Sequence, residues 1–170
     1  KGRVVQCDTP DNIMRNPAND FVVEFIGKKR IMATPEAVLV EDIMNDRVVT
    51  CSPYLQLNRC LDRMRYENVD TMFVVDKHSC RLLGVLPLER IRAERDHERP
   101  ASDLMLTEYI HATPSSKITD VMPDMDKHRL SCVPVLSESG RLLGVVTRNS
   151  IFATLSHYYI EAQEVQHVVH

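Results

Sequence analysis

Arg81-Leu82-Leu83-Gly84-Val85 recurs as Arg141-Leu142-Leu143-Gly144-Val145, the same five residues twice in one chain. Working backwards, Phe73-Val74-Val75 aligns with Pro134-Val135-Leu136, and Ser52-Pro53 with Thr113-Pro114. Val40-Glu41-Asp42-Ile43-Met44 likewise matches Ala101-Ser102-Asp103-Leu104-Met105. The offset is 61 before the turn and 60 after it, because the first copy has one extra residue within 76–80. Self-similarity at this period marks a repeated supersecondary unit. It divides the chain into copies at 37–97 and 98–157, a preceding tail and linker at 1–36, and a C-terminal tail at 158–170.

Each copy reads as the same string of elements. Arg47–Cys51 and Glu108–Ala112 are short extended runs closed by Ser-Pro or Thr-Pro, a helix-start signal. Leu57, Leu61 and Met64 in one copy, and Ile118, Val121 or Met122, and Met125 in the other, then recur at helical spacing. Pro123 predicts a kinked or shortened second helix. Thr71–Val75 and Cys132–Leu136 are apolar strands, each turning into Arg81–Leu86 or Arg141–Val146. A closing helix follows at Leu88–His97 and from Arg148 through Leu155. The order is β-α-β-β-α, after a helical turn at Asp42-Ile43-Met44 or Asp103-Leu104-Met105. Sixty residues around a three-stranded sheet are marginal alone, so the copies are expected to pack sheet to sheet.

Composition narrows the function. Of 170 residues, 44% are hydrophobic and 26% charged, the balance of a globular domain. A net charge of −3 supplies no basic field for nucleic acid. No apolar run reaches the ~20 residues of a membrane span, and no secretory signal opens the chain. The start at Lys1 reads as a cut from something longer. Five cysteines (Cys7, Cys51, Cys60, Cys80, Cys132) without a C-x-x-C pair point to reduced thiols in a cytosolic setting. None of the five glycines builds a phosphate-cradling G-x-x-x-x-G-K or G-x-G-x-x-G loop. His157, His167 and His170 have no metal-site partners and read as a frayed terminus, while Tyr158 and Tyr159 read as packing residues. No nucleophile–base arrangement appears, so the chain is expected not to be an enzyme.

Three motifs, each present twice and in order, carry a resemblance. Val40-Glu41-Asp42-Ile43-Met44, the strand led by His128-Arg129-Leu130-Ser131-Cys132, and Gly144-Val145-Val146-Thr147-Arg148-Asn149-Ser150-Ile151 resemble tandem CBS (cystathionine-β-synthase) domains, the Bateman module. The resemblance covers about 120 of the 170 residues and implies an α/β (α+β) fold of two units related by a pseudo-two-fold axis. Gly2 to Gln6, Thr9 to Ile13 and Asn16 to Val22 resemble the end of an ABC-transporter ATPase domain. That tail ahead of two CBS units is similar to the ATP-binding subunits of bacterial quaternary-amine importers, for glycine betaine, carnitine or choline. The implied setting is cytoplasmic, at the inner membrane face beside permease subunits, with ATP and Mg confined to the absent ATPase domain.

Paired CBS units typically receive adenine nucleotides between their sheets. Carried over by position, the ligand-binding residues are Val49, Val69 and Thr71, beside Asp70, from the first copy. From the second they are Leu130, Ser131, Cys132, Val145, Thr147 and Arg148. Apolar walls suit purine faces, and Arg148 is expected to fork onto phosphate. Where many members carry an Asp for both ribose hydroxyls, this chain has Ser150 and Arg90, and Pro87 replaces the Ser or Thr. Cyclic di-AMP offers no vicinal diol, so it is the expected ligand, bound without other cofactor or metal at a dimeric cleft between CBS units. AMP or ATP, or a nucleotide-free module sensing ionic strength or serving dimerisation, are the alternatives. A two-fold ligand implies a homodimer, with Leu57, Leu61, Met64, Met122 and Met125 as candidate contacts.

Overall fold

The first long helix buries Leu57, Cys60 and Met64 along one stripe, and its counterpart buries Ile118, Val121 and Met125. Leu57, Met64, Ile118, Val121 and Met125 belong to the periodic reading, whereas Cys60 is buried at the place expected for Leu61, Leu61 is half-buried and Met122 is exposed. A fully buried large apolar side chain is worth ~1.5–3 kcal/mol. The computed structural model describes residues 4–8, 13, 18, 19, 22 and 38–156. Most of the tail at 1–36 lies outside them, as do His157, Tyr158, Tyr159, His167 and His170.

The elements are α1 (Val40–Ile43), β1 (Thr50–Cys51), α2 (Leu57–Glu67), β2 (Thr71–Val75), β3 (Leu82–Pro87) and α3 (Leu88–Ala93) in the first copy. A 3-10 turn at Ala101–Asp103 opens the second copy, followed by α4 (Ile118–Lys127), β4 (Cys132–Leu136) and β5 (Leu142–Thr147). A closing helix, α5, occupies 148–156. β1 runs parallel to β2, and β2 pairs antiparallel with β3. In the second copy β4 and β5 pair antiparallel, and the first strand shrinks to one parallel bridge, Ala112 to Val135. Both hairpins shift register at the aligned steps Val74/Val75 and Val135/Leu136. This is a mixed α+β fold of two repeated units.

Ser52-Pro53 and Thr113-Pro114 do not start the helices. α2 begins at Leu57 after Gln56, and α4 at Ile118 after Lys117. The intervening backbone is engaged elsewhere: Ala101 and Ser102 donate to the Leu55 and Pro53 carbonyls, while Val40 and Glu41 donate to those of Ser116 and Pro114. Pro123 lies inside α4, yet that helix keeps ten residues against eleven in α2. The first closing helix stops at Ala93 rather than His97.

The lead-in segments trade places. Val40 is fully buried in the core of the second copy, among Val121, Val133 and Val146, whereas Ala101 and Leu104 are buried with Leu57, Met72 and Leu86 of the first. The crossing is made by main chain: Asn45 pairs with Val145, and Leu106 with Val85. This explains the glycine of the repeated pentapeptide. A Cβ on Gly84 would stand 2.8 Å from the Leu106 carbonyl oxygen, and one on Gly144 2.9 Å from that of Asn45. Between the sheets lies a third core of Phe73, Leu82, Leu136 and Val145, and β3 meets β5 through an Arg81–Arg141 bridge.

Candidate functional site

Two clefts flank this central core, and the repeat relates one to the other. Cleft 1, about 650 Å³, is walled by Val49, Val69, Phe73 and Val145, with Asp70, Thr71, Ser131, Cys132 and Thr147 between them. Cleft 2, about 550 Å³, is walled by Val85, Ile110, Leu130 and Pro134, and shares Asp70, Thr71, Ser131 and Cys132 with its twin. Both volumes fall in the range of small-molecule sites. Of the nine residues singled out from sequence, eight line cleft 1; Leu130 lines cleft 2.

Helix endings aim these walls. Asn68 after α2 and Arg129 after α4 adopt left-handed conformations, φ 54° and 53°. The next residues donate back into the helix, Val69 to the Met64 carbonyl and Leu130 to that of Met125. This ending satisfies orphan carbonyls and turns the chain sharply. Residues 69–71 and 130–132 thereby enter the strands facing each other. At their meeting point Asp70 Oδ1 accepts hydrogen bonds from Ser131 Oγ (2.9 Å) and Thr71 Oγ1 (3.0 Å). Burial raises the Cys132 thiol pKa above its ordinary value, against lowering hydrogen bonds from Thr71 and Ser131.

Arg148 lines cleft 1, but its side chain is engaged within the protein. Its Nε donates to the Leu130 carbonyl (2.7 Å) and its Nη2 to that of Met125 (3.0 Å), with Nη1 at 3.8 Å from Asp126. The guanidinium is occupied in holding the C-terminal end of α4, where carbonyls lack intrahelical donors. The departures at Ser150 and Arg90 also have structural uses. Thr147 and Ser150 cap α5 reciprocally, each backbone N–H donating to the other's hydroxyl at 3.1 and 3.0 Å. Arg90 Nε donates to the Leu104 carbonyl, tying α3 to the exchanged lead-in.

Sequence reasoning missed the cationic rim. Arg47, Arg65 and Arg92 line cleft 1, and among the described residues none of the three guanidinium groups has a hydrogen-bond or ion-pair partner. Asp70 is the single carboxylate in that lining. Cleft 2 is opposite in sign, with Glu89 and Glu108 joining Asp70 against Arg129. Comparing charge between aligned positions would have found this: Arg47 stands where the second copy has Glu108, and Arg92 where it has Phe152. Among the described residues no cluster of three His, Cys, Asp or Glu side chains could hold a metal, and no helix is long and apolar enough to cross a membrane.

The CBS domain family profile matches residues 40–96 and 101–157. The glycine betaine/carnitine/choline transport ATP-binding protein OpuCA of Bacillus subtilis is 36% identical over 151 residues, 88% of this chain and 40% of that protein. The chain thus spans under half the length of that relative. Among solved structures, Staphylococcus aureus OpuCA superposes with a TM-score of 0.58 at 28% identity, over 68% of this chain and 97% of that one. The CBS domain pair of protein MJ0100, solved with 5′-methylthioadenosine and S-adenosyl-L-methionine, superposes with a TM-score of 0.62 at 23% identity, over 71% of this chain and 97% of that one. The chain therefore belongs to the CBS domain family, as a tandem pair homologous to the corresponding region of quaternary-amine importer ATP-binding subunits.

Proposed function

We propose that this chain is the regulatory, non-catalytic module of an osmolyte-importer ATPase subunit, and that cleft 1 takes cyclic di-AMP. In that reading it works as a homodimer on the cytoplasmic side of the membrane, coupled through the parent ATPase to permease subunits. The observation that carries the ligand is the rim of cleft 1: three arginines from separate elements, without partners among the described residues, around an apolar slot. Two phosphates need cations at more than one point, and guanidinium forks supply them. The apolar walls accept adenine faces, and the two family positions for a diol-gripping Asp are committed to a cap and a tie. Cleft 2, rimmed by carboxylates, repels the same ligand. Bound ligand regulates only through its difference in affinity for two arrangements of the module.

A second reading, AMP or ATP in cleft 1, is favoured by Asp70, whose second oxygen could accept from a ribose. Thermal-shift titration with cyclic di-AMP, cyclic di-GMP, AMP and ATP separates the two, since a ligand specific for the folded state raises the melting temperature. Cyclic di-AMP giving the largest rise is expected. No response to it beside micromolar AMP binding overturns the reading. A parallel assay of this chain for ATP hydrolysis is expected to show none.

A further inference from the structure

Cys51 ends β1 and Cys60 lies in the first turn of α2, and both sit in the core of the first copy, 4% and 0% exposed. A tight connection brings them together: the Leu55 N–H donates to the Ser52 carbonyl, and the Cys60 N–H to that of Gln56. Their thiols meet in a hydrogen bond, and Cys60 Sγ also lies 4.0 Å from the Leu55 carbonyl oxygen. The repeat supplies a control. The aligned residues of the second copy are Ala112 and Val121, buried at the same places in its core. Packing at these positions is thus met without sulfur, and the touching thiols are a feature of the first copy.

We infer that Cys51 and Cys60 form a dithiol site that a hydroperoxide converts to a disulfide joining β1 to α2. The two sulfurs differ in character. The hydrogen bond from Cys51 holds Cys60 below the ordinary thiol pKa in spite of burial, with Arg63 adding to the fall, while the same bond and burial push Cys51 up. Cys60 is therefore the attacking sulfur. Its thiolate takes one oxygen of hydrogen peroxide as the O–O bond breaks; the other leaves as water after taking up a proton, and Cys60 becomes a sulfenic acid. The Cys51 sulfur then attacks the Cys60 sulfur. The S–S bond forms, the S–O bond breaks, and the hydroxyl departs with the Cys51 proton as a second water. Two thiols lose two electrons and the peroxide gains them. The approach for a water-sized oxidant is from cleft 1, because Val49, Leu61 and Met64 pack in this core and also line that cleft. The loop so closed contains Pro53 and Leu55, whose carbonyls hold Ser102 and Ala101 of the exchanged lead-in. The bond falls where the two copies interlock.

Peptide mapping of the whole chain, reduced and then exposed to graded hydrogen peroxide before alkylation, tests this. Trypsin cuts after Arg47, Arg59 and Arg63, so the bond would join peptides 48–59 and 60–63. The expected result is that cross-linked pair, lighter than its two thiol peptides by two hydrogens and lost on treatment with dithiothreitol. Variants borrowed from the second copy keep the core filled, and thermal melts establish their folding. Cys51→Ala is expected to leave a sulfenic acid on Cys60 that dimedone traps, and Cys60→Val to leave Cys51 a free thiol. A wild-type chain in which the exposed Cys7 and Cys80 oxidise while Cys51 and Cys60 stay thiols overturns the proposal. A bond from either to Cys7, Cys80 or Cys132 in place of the internal one overturns it as well. Neither the mapping nor the variants depend on the nucleotide proposed for cleft 1.

Discussion

Asn45 and Val145, from different repeats, exchange both main-chain hydrogen bonds at 2.9 Å each. The bridge lies against Gly144, where an added Cβ would fall 2.9 Å from the Asn45 carbonyl oxygen and 3.2 Å from Met44 Sδ. Leu106 and Val85 repeat the arrangement at Gly84, at 2.8 and 2.9 Å. Neither unit therefore completes its own core; each receives the segment that precedes the other.

Gly144→Ala should destabilise the module by ~1–3 kcal/mol, the usual cost of overpacking, because the nearest obstacle is backbone. Gly84→Ala should act in the same direction, facing the Leu106 carbonyl oxygen at 2.8 Å. At this chain length that corresponds to roughly 2–4 °C in Tm per kcal/mol. Calorimetry of both variants checks it. An unchanged Tm in either would show that the exchanged lead-in has room to yield.

Arg47 and Arg148 both border cleft 1, but their substitution should separate binding from stability. Arg148→Ala removes one donor from the Met125 carbonyl in the last turn of α4 and one from the Leu130 carbonyl just beyond it. With its side chain 50% exposed, the loss is about 1 kcal/mol after discounting for solvent. Ligand affinity should change little. Arg47→Ala removes no internal hydrogen bond and should leave Tm alone, yet weaken cyclic di-AMP roughly tenfold through a lost charge-assisted contact. Calorimetric titration beside thermal melts reads both, and the reverse pattern would return the phosphate role to Arg148.

The hairpin strands were legible nearly to the residue, because Thr71–Val75 and Cys132–Leu136 are apolar runs set between turn signals. The first strand of the second copy was not. Its single bridge at Ala112 is decided by contact with β4, which no local pattern records. Helix starts were read too early for the same reason: residues 53–56 and 114–117 spend their backbone on the exchanged lead-ins. The positions carried over by the family resemblance fall on the clefts, eight of nine on cleft 1 and Leu130 on cleft 2. The charge around them was not legible, because Arg65 and Arg92 sit in helices that look like ordinary solvated faces until folding sets them beside Val69 and Val145. Arg148 shows the converse: a cation in the right place whose donors are consumed by helix carbonyls.

Cys132 should make the module less stable in alkali. Burial holds its folded pKa above the ordinary 9.0, with Asp70 adding to the rise. The unfolded chain then loses this proton first as pH climbs, so the folded state binds more protons and its stability falls. The contribution is intact below that ordinary thiol value, which the unfolded chain keeps, and is lost as pH rises toward the folded one. Cys132→Ser removes the titration. The Tm difference between wild type and variant should narrow in favour of the variant from pH 7 to 10; a constant difference would place the alkaline sensitivity elsewhere.

Asp70 decides between the two ligand readings with a change of sign. It is the carboxylate shared by both clefts, and its aligned partner in the second copy is Ser131, the hydroxyl it binds at 2.9 Å. Asp70→Ser makes the two copies alike at this point. For a cyclic dinucleotide, removing a negative charge from an arginine-rimmed slot lessens repulsion of the phosphates, so affinity should rise a fewfold and fall off more steeply with salt. For AMP or ATP gripped through the ribose, the same change removes a charge-assisted acceptor worth ~1.5–3 kcal/mol, and affinity should drop about tenfold or more. Titrating both nucleotides into wild type and variant at two salt concentrations gives the answer. Tighter cyclic di-AMP with weaker AMP assigns cleft 1 to the dinucleotide, whereas weaker binding of both makes Asp70 a structural brace between Thr71 and Ser131.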